Sequence, residues 1–220
     1  HSAHDRLAFH RHESAYIALP LEGSYEESSA DGRFACAPGI AVVHGEWHMH
    51  ADRFTGAGGR VLNIDLPSGA VPPGGSAAVT VDFVEIEKLA RRQPARAAAA
   101  VLETWASAGD PAGAGSGLVY AFLRSVRLSP AARIAELAAE LGVSREHLAR
   151  RVKAHLGIGP SRLRSEWRFR CAAELLARGE SLARVAVAAG YSDQSHMTRD
   201  IKARLGRTPG RLGRLSRPRR

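Results

Sequence analysis

Histidines are the residues of this sequence whose spacing best suits chemistry, and seven of the ten fall within the first 50 residues. His10 and His12 form an H-x-H pair, and on a strand both imidazoles would point to one face of the sheet. Three later histidines, at positions 44, 48 and 50, are separated by even numbers of residues and would share one face of a continuous strand, unless Gly45 interrupts it. Neutral imidazoles from neighbouring strands bind Zn, Ni, Cu or Fe. We therefore predict a site for one divalent transition metal, formed by three or four of His10, His12, His44, His48 and His50.

The same histidines have two further interpretations. They could line a pocket for an organic effector without any metal, or they could be structural residues held by hydrogen bonds. The sequence leaves all three interpretations open, and it assigns no role to His1 and His4.

A second kind of chemistry is indicated by the distribution of charge. Residues 118–220 contain 22 Lys and Arg against 8 Asp and Glu, a net charge of +14. Residues 1–117 contain 9 Lys and Arg against 14 Asp and Glu, a net charge of −5. A strongly basic half favours a polyanionic partner, either nucleic acid or an acidic membrane surface. The apolar runs are far shorter than the roughly 18–20 residues that a membrane span requires, so a transmembrane protein is excluded.

The elements that must position the histidines are short strands. Apolar and β-branched runs punctuated by Gly and Pro predict a small β-barrel over residues 1–84. Residues 85–108 show helical spacing with a break at Pro94. Leu89, Val101 and Leu102 would otherwise lack a partner, so this segment is predicted to mediate a homodimer. Residues 109–117 are rich in glycine and predict a flexible linker.

The basic half reads as helices in a duplicated arrangement. Each repeat has a capping residue, a short helix, a glycine turn and a second helix, and each closes with Gly and Pro. Caps are predicted at Ser129, Ser144, Ser181 and Ser192. The fold class is therefore α+β, with residues 118–220 forming two helix-turn-helix units joined by a long helix from Ser161 to Arg178. That helix would span roughly 27 Å, which suits two successive turns of the DNA major groove.

The second helix of each unit carries side chains suited to DNA. Arginine can pair with guanine and glutamine with adenine, while hydroxyl and lysine groups suit phosphates. Lys153, Lys202 and Arg204 are expected at phosphates. The predicted DNA-binding residues are Ser144, Arg145, Glu146, Arg150, Lys153, Asp193, Gln194, Ser195, Thr198, Arg199 and Lys202.

Residues 130–212 resemble the AraC/XylS-type transcription regulators. The matching residues are Leu137-Ala138, Leu141-Gly142-Val143-Ser144, Arg150, Gly157, Pro160, Arg168, Gly190-Tyr191-Ser192-Asp193-Gln194-Ser195-His196, Arg199, Gly206 and Thr208-Pro209. The resemblance implies double-stranded DNA as partner, both units on one face of it, and control of RNA polymerase recruitment. Val152 and Ile201 stand where the family favours phenylalanine. Asp200 replaces a small residue and adds negative charge near the predicted groove.

Residues 4–70 resemble the cupin barrel that many AraC-type regulators carry as a sensor. The H-x-H pair, Gly23, a hairpin at Tyr25-Glu26-Glu27, Pro38-Gly39 and the later histidines follow the cupin order. The resemblance implies a glutamate ligand shortly after the H-x-H pair, but this sequence has Tyr16 there, with Glu13 and Glu46 nearby.

These patterns predict a sequence-specific DNA-binding transcription regulator, controlled by a metal ion or small effector in the barrel, and not an enzyme. A metal-dependent cupin oxygenase or isomerase is the alternative, and the missing glutamate counts against it. A constitutive regulator whose barrel only dimerises is a third possibility. Two distant cysteines, Cys36 and Cys171, and the lack of a visible secretory signal predict a cytoplasmic protein. Since the sequence starts at His1 rather than methionine, a trimmed N-terminus is compatible with it.

Overall fold

A computed structural model of the chain describes residues 1–72, 75–108 and 117–210. The chain divides into two compact units, His1–Gly115 and Ser116–Arg220. Residues 109–116 of the predicted linker lie outside the described residues, and the predicted domain limits stay predictions.

Unit 1 combines an antiparallel sheet with two helices. The sheet follows the order β1-β5-β2-β4-β6, and β3 pairs with β2 outside this path. No pairing between β1 and β6 is found among the described residues, so closure into a barrel stays a prediction. The strands are β1 Arg6–Arg11, β2 Tyr16–Ser29, β3 Arg33–Cys36, β4 Ile40–His44, β5 Met49–Asp65 and β6 Ser76–Thr80, and the helices are α1 Phe83–Arg92 and α2 Pro94–Ala108.

Strand β2 runs through the middle of this sheet and has both faces covered. Its alternating residues Ile17 and Leu19 belong to an apolar core that also includes side chains of α1 and α2. Tyr16 and Ala18 point to the opposite face, where Tyr25 and Phe54 pack with them. The period of two in a strand therefore separates a helix-covered core from a face that bears the histidines.

The apolar residues predicted to mediate a dimer have another partner. Val101 is buried, and Leu89 and Leu102 pack beside it against the core of the sheet. The argument that these side chains need a second chain was therefore wrong. The last strand, β6, ends at Thr80, before the predicted limit of the barrel at residue 84, because Asp82 caps α1 by accepting a hydrogen bond from the Glu85 N–H at 3.1 Å.

Unit 2 is helical. Its helices are α3 Leu118–Leu128, α4 Ile134–Glu140, α5 Arg145–Leu156, α6 Pro160–Ala177, α7 Leu182–Ala188 and α8 Gln194–Leu205. Side chains from all six helices are buried in it, including Phe122, Leu137, Leu148, Phe169, Val185 and Met197. Within the described residues, no helix combines the length and apolar character needed to cross a membrane.

Glycines and capping residues set the helix limits in unit 2. Gly157 and Gly206 end α5 and α8 in the left-handed conformation, and Ser144 and Ser181 cap α5 and α7 as predicted. Two predicted caps were wrong. Asp193, rather than Ser192, caps α8. Ser129 ends α3 instead of starting the next helix, because α4 begins five residues later, at Ile134 after the cap Arg133.

Candidate functional sites

The five predicted histidines meet on one face of the sheet of unit 1, although they do not lie on one continuous strand. His44 ends β4, His48 lies in the following turn, and His50 lies near the start of β5. Strand β5 then pairs with β1, so that His50 is the register partner of His10. Two backbone hydrogen bonds between His12 and the segment Trp47–His48 fix this turn against the end of β1.

The histidines form two groups that share His50. The outer group consists of His10, His12 and His50, whose ring centroids are 4.5–5.2 Å apart. His10 and His12 are half-buried, and the group lines a cavity of about 170 Å³. Burial and the nearby His50 and His10 lower the pKa of His12 to about 4, so its ring is neutral at pH 7. A neutral imidazole is the form that binds a metal ion.

The inner group consists of Glu27, His44, His48 and His50, all of which are buried. The Glu27 Oε2 lies 2.9 Å from the His44 Nε2. The other carboxylate oxygen, Oε1, lies 3.4 Å from the His48 Nε2. Burial alone would raise the pKa of Glu27, but His44, His48 and His50 outweigh it and hold that pKa well below its usual range. The group therefore contains a buried carboxylate anion among three imidazoles.

Sequence reasoning missed Glu27. The pattern places Tyr25, Glu26 and Glu27 in a hairpin, whereas they lie inside β2, which continues to Ser29. Strand alternation could have revealed the residue, because Tyr25, Glu27 and Ser29 point inward while Glu26 is paired with Arg33 and Arg53 on the other side. Glu27 also removes the argument that no carboxylate is available to the histidines.

Tyr16, found where the cupin resemblance implies glutamate, contacts one histidine of each group. Its ring is stacked on His44 at 4.4 Å and contacts His12 at 4.8 Å. Burial and the charges of Glu27 and Asp52 raise its pKa, so the phenol stays protonated. Tyr16 therefore offers no anionic ligand at neutral pH. Of the two other acids considered, Glu13 is exposed and Glu46 is buried, but neither belongs to a histidine group in the described residues.

In unit 2, the predicted DNA-binding residues of α5 lie on its exposed side. Leu148, Val152 and Leu156 are buried, while the first turn and the opposite side face solvent. The Ser144 hydroxyl accepts a hydrogen bond from the His147 N–H at 3.1 Å, so it holds the helix start. The exposed predicted residues here are Ser144, Arg145, Glu146, Arg150 and Lys153.

Helix α8 repeats this arrangement. Met197 and Ile201 are buried, whereas Thr198 is partly exposed and the other predicted residues are exposed. The Asp193 carboxylate accepts a hydrogen bond from the His196 N–H at 2.7 Å. This hydrogen bond and a second one from the Ser192 hydroxyl lower the pKa of Asp193. Asp193 is therefore occupied as a cap. The predicted DNA-binding residues at the cap and along α8 are Asp193, Gln194, Ser195, Thr198, Arg199 and Lys202.

Arg204 and Asp200 have roles other than those expected from the sequence. Arg204 forms an ion pair with Glu166 of α6. It forms a second ion pair with Asp200, in which the Arg204 Nε lies 2.9 Å from the Asp200 Oδ1. Asp200 also accepts a hydrogen bond from the Tyr191 hydroxyl at 2.8 Å. The Asp200 charge is thus compensated inside the unit, and Arg204 connects α8 to α6 instead of facing a phosphate.

Comparison with known proteins agrees with the helical arrangement. Residues 137–214 match the family model described as a helix-turn-helix domain. Over 78 residues, the chain is 40% identical to a Streptomyces antibioticus protein described as an AraC-like transcription regulator. This match covers 35% of the present chain and 26% of that protein, so the chain spans about a quarter of the relative's length.

Two solved structures also align with the chain. The C-terminal domain of AraT, a response regulator from Geobacillus stearothermophilus, is 26% identical and has a TM-score of 0.43, covering 46% of this chain and 86% of that domain. ToxT from Vibrio cholerae is 10% identical with a TM-score of 0.47, covering 99% of this chain and 97% of that protein. The family model, rather than these two alignments, identifies a helix-turn-helix domain in unit 2, and the chain is similar to an AraC-like transcription regulator over 78 residues.

Proposed function

We propose that this chain is a sequence-specific DNA-binding transcription regulator. The observation that carries the proposal is the repetition in unit 2. Each of α5 and α8 follows a short helix and a glycine turn, buries one apolar stripe and exposes polar residues from its first turn onward. A second helix of this kind lies in the major groove with its first residues at the base edges. The net charge of +14 over residues 118–220 favours the phosphate backbone.

In this proposal, α5 and α8 read two successive turns of the major groove. Arg150 and Gln194 are base readers, because they are exposed on the two helices and their groups suit guanine and adenine. Lys153 and Lys202 contact phosphates. Recruitment of RNA polymerase is the expected consequence, by analogy with the AraC-like regulators that the sequence resembles.

Substitution of the readers tests this proposal. We expect Arg150→Ala or Gln194→Ala to reduce discrimination at one base pair by about 1–3 kcal/mol, since each removes a paired contact to a base edge. A binding titration against single-base variants of a selected operator measures the effect. Lys202→Ala is the control and should weaken binding to all sequences alike. Unchanged discrimination in both reader variants would contradict the assignment.

We further propose that the histidine face of unit 1 is the regulatory site. The outer group lines the cavity, which suits either a divalent transition metal such as Zn, Ni, Cu or Fe or a small organic effector. The neutral ring of His12 and the three rings centred within about 5 Å of each other support a metal.

The double substitution His10→Ala with His12→Ala tests the regulatory site. We expect it to abolish the response to the metal or effector while leaving basal DNA binding intact, because both residues lie in unit 1. Operator binding and circular dichroism of the same variant separate the outcomes. Loss of the fold would instead support a purely structural role for these histidines.

A further inference from the structure

We infer that the inner group, Glu27 with His44, His48 and His50, is itself a closed binding site for a divalent transition metal, separate from the H-x-H pair. The inference touches the proposed regulatory site only through His50, which belongs to both groups. It does not depend on DNA binding.

The geometry of the inner group fits one ion. The ring centroids of His44, His48 and His50 form a nearly equilateral triangle with sides of 5.0, 5.0 and 5.2 Å. Three imidazoles bound tetrahedrally at the usual Zn–N distance have their ring centres about 5 Å apart. The Glu27 Oε2 lies 2.9 Å from the His44 Nε2, and the Glu27 Oε1 lies 3.4 Å from the His48 Nε2. Both distances are close to the separation of about 3.3 Å between two ligand atoms of a tetrahedral zinc ion.

The polar atoms of the group also point to a ligand. Within the described residues, His50 Nδ1 and Glu27 Oε1 are buried and make no hydrogen bond. Buried polar atoms are normally satisfied, and exceptions require an explanation such as an ion. The carboxylate charge also needs compensation in the interior, which a dication supplies without protonating the imidazoles.

The surroundings allow the protein to supply all four ligands. All four residues are no more than 3% exposed, and Glu27, His44 and His50 form part of the wall of the cavity that the outer group also lines. Tyr16 stacks on His44 and separates it from His12. Asp52 lies 3.4 Å from the His50 Nε2 and orients that ring. Four protein ligands leave no open position on a tetrahedral zinc ion, and a residue such as Asp52 is the usual support for a histidine ligand.

Metal analysis of the whole 220-residue chain tests the inference. The protein is loaded with Zn²⁺, dialysed against a mild chelator and measured by elemental analysis. We expect about one retained Zn²⁺ per chain, both in the unsubstituted protein and in the variant with His10→Ala and His12→Ala. Glu27→Gln is expected to weaken Zn²⁺ retention at least tenfold. Glu46→Gln is the matched control, because Glu46 is also buried nearby but is not in the group, and it should retain the ion.

Two results would overturn the inference. One is the absence of retained Zn²⁺ in the unsubstituted chain, and the other is complete loss of tight Zn²⁺ when only His10 and His12 are replaced. His50 is not substituted, since its loss would disturb both groups.

Cobalt keeps the test informative if Glu27→Gln fails to fold. Co²⁺ bound to the variant with His10→Ala and His12→Ala should give the strong visible absorption of a tetrahedral ion. Zn²⁺ should raise the melting temperature of the same variant. A weak octahedral spectrum, or no thermal shift, would contradict a closed inner site.

Operator binding by the same proteins reports on unit 2, so failure of the DNA-binding proposal and failure of the metal site are distinguishable.

Discussion

Lys202 and Arg204 lie two residues apart on α8, but their side chains have different surroundings. Lys202 is exposed, whereas Arg204 is mostly buried between Glu166 of α6 and Asp200. The Glu166 side chain is only 3% exposed, so the ion pair connects the two helices from within. The same type of charge therefore has a structural role at one position and faces solvent at the other.

We expect Arg204→Ala to lower the free energy of unfolding by about 3 kcal/mol, because removal of one partner from a buried ion pair leaves the other charge poorly compensated. Lys202→Ala should change it by less than about 0.5 kcal/mol, as is usual for an exposed side chain. Urea denaturation followed by circular dichroism measures both values. Equal, small effects would mean that Arg204 is not part of the core of unit 2.

At the level of elements, the turns before α5 and α8 each contain a glycine, but the two glycines differ in packing. Gly142 and Gly190 both have positive φ values, of 69° and 77°. A Cβ atom on Gly142 would have no neighbour within 4 Å among the described residues, while one on Gly190 would lie 2.5 Å from the Cα of Ala131. The second turn therefore requires glycine for close approach as well as for its backbone conformation.

Alanine substitutions separate these two requirements. We expect Gly142→Ala to destabilise the protein by about 1 kcal/mol through left-handed strain alone. Gly190→Ala should cost about 3 kcal/mol or more, because the backbone near Ala131 must also move. Thermal unfolding of the two variants measures the difference. Similar losses would show that the segment around Ala131 yields easily.

The elements of unit 2 could be predicted from local signals. Ser144, Ser181 and the glycine turns act within a few residues of their own position, so the sequence contains the information directly. The cap at Asp193 was missed because two adjacent residues, Ser192 and Asp193, both have suitable side chains. Only the backbone of the folded turn selects Asp193, which accepts the His196 N–H.

The histidine face of unit 1 could be predicted only in part. The H-x-H pair and the later histidines indicated the type of chemistry, but the grouping depends on strand pairing between distant residues. Glu27 meets His44 because β2 pairs with both β4 and β5, which is a long-range property of the sheet. The side chains of α1 and α2 likewise found their partners in the sheet rather than in a second chain.

For the whole molecule, the separation of charge between the two units predicts how salt affects DNA binding. The sequence has three lysines, one in α1 and one in each of the two proposed reading helices. All three side chains are exposed: Lys88, Lys153 and Lys202. They form a matched set, because each substitution removes one exposed lysine charge from a helix and only the position changes.

We expect the logarithm of the association constant to fall linearly with the logarithm of salt concentration. Lys153→Ala and Lys202→Ala should each reduce the slope by about 0.9, since each removes one phosphate contact and its released counterion. Lys88→Ala should leave the slope unchanged, because unit 1 has a net negative charge and lies outside the proposed interface. Fluorescence anisotropy titrations of the whole 220-residue chain between about 50 and 200 mM salt measure the slopes. If all three variants shift the slope equally, the protein responds to its net charge alone; if only Lys153 and Lys202 matter, the exposed sides of α5 and α8 are the surfaces that contact DNA.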